Sequence, residues 1–291
     1  AKTYDSAKHA SKYAVNIPEV SFDLPKIIAR KSKVVRKLVL GVKAKLTANN
    51  VTIVSGEAQI IDKNTVRCGE ETYEGENLIL CTGSETFIPP IPGVDAVNYW
   101  THRDALDSKE LPASLAIVGG GVIGMEFASF FNSLGVQVTV VEMMDEILGG
   151  MDKELSALLR AEYAKRGIKF LLSTKVVGLS QTEEGAVVSY ENAEGNGSVI
   201  AEKLLMSVGR RPVAKGFGLE NLNLEKTERG AIRINEKMQT SVPGVYVCGD
   251  LTGFSLLAHT AVREAEVAVH SILGKEDAMS YRAIPGVVYT N

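Results

Sequence analysis

Gly119, Gly121 and Gly124 stand in the spacing G-x-G-x-x-G, after a short apolar run at residues 115–118 and at the head of a segment with helical periodicity at 124–134. In that context each glycine has its own job. The first permits a tight turn, the second lets the main chain approach a pyrophosphate, and the third lets helix and strand pack closely. The helix start adds unpaired N–H groups and the positive end of the helix dipole, so the loop, completed by Val122 and Ile123, is expected to hold a dinucleotide. Glu142 ends the next apolar run, 136–141, where a carboxylate accepts hydrogen bonds from the adenosine ribose hydroxyls. The same charge repels a 2′-phosphate, and Met143 and Met144 follow where an arginine would be wanted, so NAD is expected over NADP. Glu126 lies in the first helical turn, where the dipole stabilises a carboxylate whether or not a ligand uses it.

The elements that must position these residues are legible as periodicities. The runs at 115–118 and 136–141 with the helix between them make a βαβ unit. A helix over 153–166 ended by Gly167, then strands near 169–172 and 186–190, extends it into an α/β domain that 204–208 closes. Upstream, residues 22–49 carry Val35, Leu38, Val42 and Leu46 on one stripe and Arg30, Lys31, Lys33, Arg36 and Lys37 mostly off it, which predicts a long amphipathic helix. Alternating runs at 51–54, 59–61, 65–67 and 77–80 suggest a small antiparallel meander, and Pro89, Pro90, Pro92 and Gly93 a linker. A Pro243-Gly244 turn precedes a strand at 245–248, and a helix over 257–273 stops at Gly274.

The 291 residues are 45% hydrophobic and 23% charged, which excludes a low-complexity polymer and suits about two domains. No apolar run reaches the ~20 residues of a membrane helix. A net charge of −3 creates no field favouring nucleic acid or an anionic membrane, and the basic helix lacks interleaved aromatics. Cys68, Cys81 and Cys248 are too far apart for a C-x-x-C redox or zinc motif, so no metal site is expected and a reducing compartment fits. Cys248 reads as a small buried residue on a strand. The chain opens Ala-Lys-Thr-Tyr, without the pattern of a signal peptide. It closes on Val287, Val288, Tyr289, Thr290 and Asn291, which read as a strand interrupted in mid-course, so a piece of a longer protein is the expectation.

Gly119 to Glu126, Glu142 and Ser207-Val208-Gly209-Arg210-Arg211-Pro212 together resemble the pyridine nucleotide-disulfide oxidoreductases, most closely the dihydrolipoyl dehydrogenase group. Cys81-Thr82-Gly83-Ser84 is similar to that family's crossing into its NAD domain. Tyr246-Val247-Cys248-Gly249-Asp250 with Leu257-Ala258-His259 is similar to its second flavin motif. The resemblance spans nearly the whole chain. It implies an α/β architecture in which a Rossmann-like three-layer NAD domain, 114–240, is inserted into a partial FAD-binding domain of the same build, 1–113 and 241–282. Residues 283–291 would begin an interface domain of a homodimer.

The resemblance also implies roles for residues. FAD contacts fall to Gly56 and Ala58 near the adenine, to Thr82, Gly83 and Ser84, to Asp250 as acceptor from the ribitol hydroxyls, and to Leu257, Ala258 and His259. A helix N-terminus at these last three would stabilise negative charge on the reduced flavin. NAD contacts fall to Val176 beside the adenine and Gly209 on the nicotinamide side, with Glu126 as an assistant there. The implied reaction carries electrons from dihydrolipoamide through a C-x-x-x-x-C disulfide to FAD and, as hydride, to NAD. The implied partner is a lipoyl domain of a 2-oxoacid dehydrogenase or glycine-cleavage complex, in the cytoplasm or, in a eukaryote, the mitochondrial matrix.

The chain departs from that pattern in three places. It holds no second G-x-G-x-x-G and no C-x-x-x-x-C, for which Cys68, Cys81 and Cys248 are no replacement. It lacks the interface domain's His-Glu pair, and His9, His102 and His270 have no carboxylate in a matching motif. No catalytic residue is therefore expected here, and this chain is expected to be inactive. Another flavin disulfide reductase or transhydrogenase of the same build is an alternative, as is a purely NAD-binding module; Glu142 disfavours NADPH users such as glutathione reductase.

Overall fold

The computed structural model describes residues 1–290, and the chain divides into two compact units. The first comprises Ala1–Leu40, Thr86–Gly209 and the last residues from Gly286; the second comprises Gly41–Glu85 and Arg210–Pro285.

The first unit is built on a five-stranded parallel sheet, in the spatial order Tyr99–Trp100, Lys203–Met206, Ser114–Val118, Gln137–Val141 and Lys169–Leu171. Its strands read as continuous apolar runs because both faces are covered. Side chains alternate between those faces. Leu115, Ile117 and Leu205 pack with Met125, Phe131 and Tyr163 of the helices Val122–Ser133 and Lys153–Lys165. Ala116, Val118, Leu204 and Met206 pack on the opposite side with Leu179, Ala186 and Val188 of a three-stranded antiparallel sheet, Lys175–Thr182, Gly185–Asn192 and Gly195–Ala201. The unit is thus three layers: helices, parallel sheet, antiparallel sheet.

The strand expected at 186–190 forms the middle of that antiparallel layer and does not extend the parallel sheet. The short connections Glu183-Glu184 and Ala193-Glu194 return the chain at once, and a parallel partner needs a crossover of a dozen residues or so. The expected linker is packed: Ile88 and Ile91 join the core beneath the antiparallel sheet, and a side chain on Gly93 would strike the Leu179 carbonyl oxygen at 1.9 Å.

In the second unit Leu78–Leu80 pairs in parallel with Val245–Val247, and Ala58–Asp62, Thr65–Cys68 and Glu71–Glu74 form an antiparallel meander. Residues 51–54, expected as a strand, have no regular structure. The run expected as the meander's last strand leaves for Val245–Val247, because both segments are apolar and bury together. Its place is taken by Glu-Thr-Tyr-Glu at 71–74, exposed at every position and so without an alternating signature. The helix Ala258–Ile272 packs Val267 and Ala268 against Tyr246 and Cys248.

The long helix is present as Leu24–Ala48, but most of its stripe is left uncovered by the described residues: Val35, Leu38 and Val42 are 50%, 66% and 60% exposed, and only Leu46 is half-buried. No helix among the described residues is long and apolar enough to cross a membrane. Residues 287–290 form no strand. Val288 packs against the helix-side core, and the Tyr289 N–H, which a strand would give to a neighbouring edge, donates to Glu126 Oε1 at 2.8 Å. Asn291, the end of the expected strand, lies outside the described residues.

One ion cluster ties the helix Ala258–Ile272 to the segment after it. Arg263 forks onto both oxygens of Asp277, and His270 Nδ1 lies 2.7 Å from Asp277 Oδ2. His270 thus has a carboxylate neighbour, one clamped by an arginine. The Arg263 guanidinium, then His270, holds the Asp277 carboxyl well below the usual carboxylate range. Below the ordinary aspartate value of about 3.9 the unfolded chain binds this proton and the folded chain resists it, so acid weakens the fold through that window. Asp277→Asn is expected to flatten the acid side of a plot of urea midpoint against pH, leaving the midpoint at neutral pH lower than wild type.

Candidate nucleotide-binding sites

The loop between Ser114–Val118 and Val122–Ser133 carries the glycine motif, and each glycine meets a different surrounding. Gly119 has φ +108°, and a β-carbon there would lie 2.2 Å from the Ser207 carbonyl oxygen. A β-carbon on Gly124 would lie 2.1 Å from the Gly119 carbonyl oxygen, so only glycine allows the helix this close to the strand end. Gly121 differs. It caps the helix with extended backbone, φ −71° and ψ −178°, and a β-carbon there would meet nothing within 4 Å. The unit thus leaves open space in front of a helix N-terminus whose N–H groups, with Val122 and Ile123 in the first turn, have no side-chain cap.

Glu142 follows Gln137–Val141 and reaches back to this loop. Its Oε2 accepts the Gly120 N–H at 2.6 Å and its Oε1 accepts the Met144 N–H at 2.8 Å. A carboxylate offers about four lone-pair directions, so two remain for ribose hydroxyls. The Met144 contact was not legible in sequence, because it depends on the turn after the strand. Val176 lies half-buried on Lys175–Thr182, and Gly209 has φ +117° with open space at its β-position. Glu126, in the glycine-loop helix, accepts the Tyr289 N–H.

The second group lies at the carboxyl ends of the neighbouring strands Leu78–Leu80 and Val245–Val247, where parallel sheets present their ligands. Gly83 turns with φ +73°, and Thr82 Oγ1 donates to the Val213 carbonyl at 2.8 Å. The Ser84 hydroxyl donates to Asp250 Oδ2, while Oδ1 accepts no hydrogen bond among the described residues. Arg210 Nε donates to Ser84 Oγ at 2.7 Å. Sequence reasoning counted Arg210 only within a motif, yet here it supplies positive charge beside the Ser84–Asp250 pair.

Asp250 sits inside the short turn Gly249–Thr252, which Glu264 holds from below by accepting the Gly249 N–H at 2.5 Å. Glu264, fully buried, also accepts from Tyr281 Oη at 2.7 Å, and burial pushes its carboxyl above the usual range. No sequence signal marked it, since a glutamate in a helix reads as solvated. Leu257 caps Ala258–Ile272 with extended backbone and no side-chain cap, leaving Ala258 and His259 exposed in an open first turn. Gly56 and Ala58 lie apart from this group by their bonding: Ala58 pairs with Cys68 in the meander, and a side chain on Gly56 would meet Cys68 Sγ.

Comparison with known proteins places these features in company. The family model described as pyridine nucleotide-disulphide oxidoreductase matches residues 1–265. The chain is 35% identical over 293 residues to the dihydrolipoyl dehydrogenase of Geobacillus stearothermophilus, covering 99% of this chain and 62% of the relative. It is 39% identical over 278 residues to that of Acholeplasma laidlawii, covering 94% and 81%. Among solved structures, LpdA of Mycobacterium tuberculosis superimposes with a TM-score of 0.88 at 25% identity, over 99% of this chain and 66% of that one. The HOCl-induced flavoprotein disulfide reductase RclA of Escherichia coli gives 0.79 at 26% identity, over 96% and 62%. The chain spans a little over three-fifths of the length of several of these relatives.

Proposed function

Because the chain belongs to the pyridine nucleotide-disulphide oxidoreductase family, we propose that it carries the two nucleotide sites of an NAD-dependent dihydrolipoyl dehydrogenase. FAD and NAD, when bound, would supply the transfer of electron pairs as hydride. The chain's own residues do the holding. Gly119, Gly121 and Gly124, with the N–H groups of Val122 and Ile123, would cradle the NAD pyrophosphate, and Glu142 would orient the adenosine ribose. Val176 would border the adenine, and Gly209 and Glu126 the nicotinamide side. Thr82, Gly83, Ser84 and Asp250 would hold the flavin's ribitol and phosphates, with Arg210 balancing charge. The open first turn at Leu257, Ala258 and His259 would stabilise negative charge on the reduced ring; Gly56 and Ala58 would border its adenine.

In this reading residues 114–240 serve NAD, 1–113 and 241–282 serve FAD, and 283–291 lead toward an interface between two copies. The partner is a lipoyl domain of a 2-oxoacid dehydrogenase or glycine-cleavage complex, in the cytoplasm or the mitochondrial matrix. These 291 residues include no C-x-x-x-x-C, so lipoamide turnover needs sulfurs that the chain does not supply.

The observation that carries the reading is the open space at Gly121, in front of an uncapped helix and beside Glu142. The test is to incubate the purified chain with FAD, remove the excess, and record the visible spectrum with chromatography of the released nucleotides. Retained FAD that Asp250→Ala abolishes supports the flavin half. NAD binding without flavin overturns that half, and binding of neither overturns the whole. Glu142→Arg is expected to weaken NAD binding about tenfold or more and to improve NADP binding, measured by titration with both reduced cofactors; unchanged selectivity sinks the ribose role. The likeness to RclA favours a second reading, a flavin disulfide reductase for another substrate. Assaying the full-length protein with lipoamide against other disulfides separates the two.

A further inference from the structure

Leu80 lies opposite Val247 in the parallel pair, and the Cys248 N–H donates to the Leu80 carbonyl at 3.1 Å, so Cys81 and Cys248 occupy the next facing positions. Their side chains share a face. Leu80 and Val247 point into one core, while Ile79, Tyr246 and Cys248 point into the other, and Cys81 follows Ile79 by two. Neighbouring strands run about 4.8 Å apart, inside the ~4.4–6.8 Å range between Cα atoms that a disulfide spans. Both thiols are free, Cys81 exposed and Cys248 only 2% exposed. An accessible sulfur thus sits beside a shielded one.

We propose that Cys81 and Cys248 form a peroxide-responsive thiol pair, Cys81 taking the oxidant and Cys248 resolving it. The proposal needs no bound nucleotide. The Cys81 thiolate attacks a hydroperoxide, forming S–O and breaking O–O; sulfur is oxidised, the peroxide is reduced, and the leaving oxygen takes a proton to depart as water or alcohol. The Cys248 sulfur then attacks the sulfenic acid, S–S forms, and the Cys248 proton leaves with the hydroxyl as water. A hydrogen bond from the Cys248 thiol lowers the Cys81 thiol to about 7, against the opposing influence of burial and the Glu264 carboxylate. The same bond, with burial and the charges of Cys81 and Glu264, pushes the Cys248 thiol up, so the exposed sulfur is the nucleophile. Closure would join the strand ends one residue before Thr82 and Gly249.

The test uses the wild-type chain with a few equivalents of hydrogen peroxide. Free thiols should fall from three per chain to one, and dithiothreitol should restore them. Cleavage at glutamates, which separates Cys68 from Cys81, should yield linked peptides holding Cys81 and Cys248, two hydrogens lighter than their sum. In Cys248→Ala, sulfenic acid at Cys81 should be trapped by dimedone about tenfold more than in wild type. Iodoacetamide labelling of Cys81 should be half-maximal near pH 7. Retention of three thiols, a link through Cys68, or equal dimedone trapping in both proteins would overturn the proposal.

Discussion

Gly121→Ala should leave the melting temperature within about 4 °C of wild type while weakening NAD(H) binding tenfold or more. Gly119→Ala should instead destabilise the first unit by about 2–6 kcal/mol, the strain of a left-handed backbone added to that of overpacking. The contrast follows from where a methyl group would go. At Gly121 it enters open space on ordinary extended backbone, so the fold tolerates it and only an incoming pyrophosphate meets it. At Gly119 it strikes the Ser207 carbonyl oxygen at 2.2 Å from a backbone with φ +108°. Denaturation curves and fluorescence titration with NADH check both. A Gly121→Ala chain that binds NADH like wild type would reduce the loop to a glycine-rich turn.

Glu264→Ala should cost about 2–5 kcal/mol, because it strands the buried Gly249 N–H and Thr252 hydroxyl and the half-buried Tyr281 hydroxyl. Glu264→Gln should keep most of that stability. Its carbonyl oxygen can accept from Gly249, and its amide can donate to Tyr281, whose hydroxyl turns from donor to acceptor. The two variants also differ from wild type in pH dependence. Burial raises the Glu264 carboxyl, so above the ordinary glutamate value of about 4.3 the folded chain still binds a proton that the unfolded chain has released. Wild-type stability should therefore fall as the pH climbs from there through the raised value, and the glutamine variant should lose that slope. Urea midpoints at intervals from pH 4 to 8 measure both effects; an unchanged slope in the glutamine variant would mean that Glu264 is ionised in both states.

The glycine loop was legible in the sequence because its reasons are local. A turn, a helix start and a strand end lie within ten residues, and each glycine answers to one of them. The same holds for Glu142, placed by the length of a βαβ unit, and for the helices that end at Gly167 and Gly274, both with positive φ. The antiparallel layer was partly legible: the middle strand appeared as an apolar run, but Lys175–Thr182 carries little period, and Gly195–Ala201 alternates in burial while its residue types do not follow, with Gly197 half-buried and Ile200 exposed. The exposed strand Glu71–Glu74 had no signal at all.

What the 291 residues determined by themselves was most of what near neighbours set: the inner parallel strands as apolar runs, the helix ends at Gly167 and Gly274 and the dinucleotide loop. The two-residue edge strand Tyr99–Trp100 and the short helix His102–Asp107 were too brief to carry a period. What only the tertiary structure decided was which distant segments meet. Leu78–Leu80 could pair with its neighbour in the meander or with Val245–Val247 some 165 residues on, and burial of both in one core chose the second. That choice brings Ser84 onto Asp250 and places Cys81 beside Cys248, two cysteines that spacing alone had set apart as unrelated. It also turns Glu264 from a helix-surface residue into a buried acceptor for the turn below Asp250. Periodicity reports which face of a segment is covered; the identity of what covers it depends on long-range packing, where the free energy of burial selects among pairings that the local sequence leaves equal.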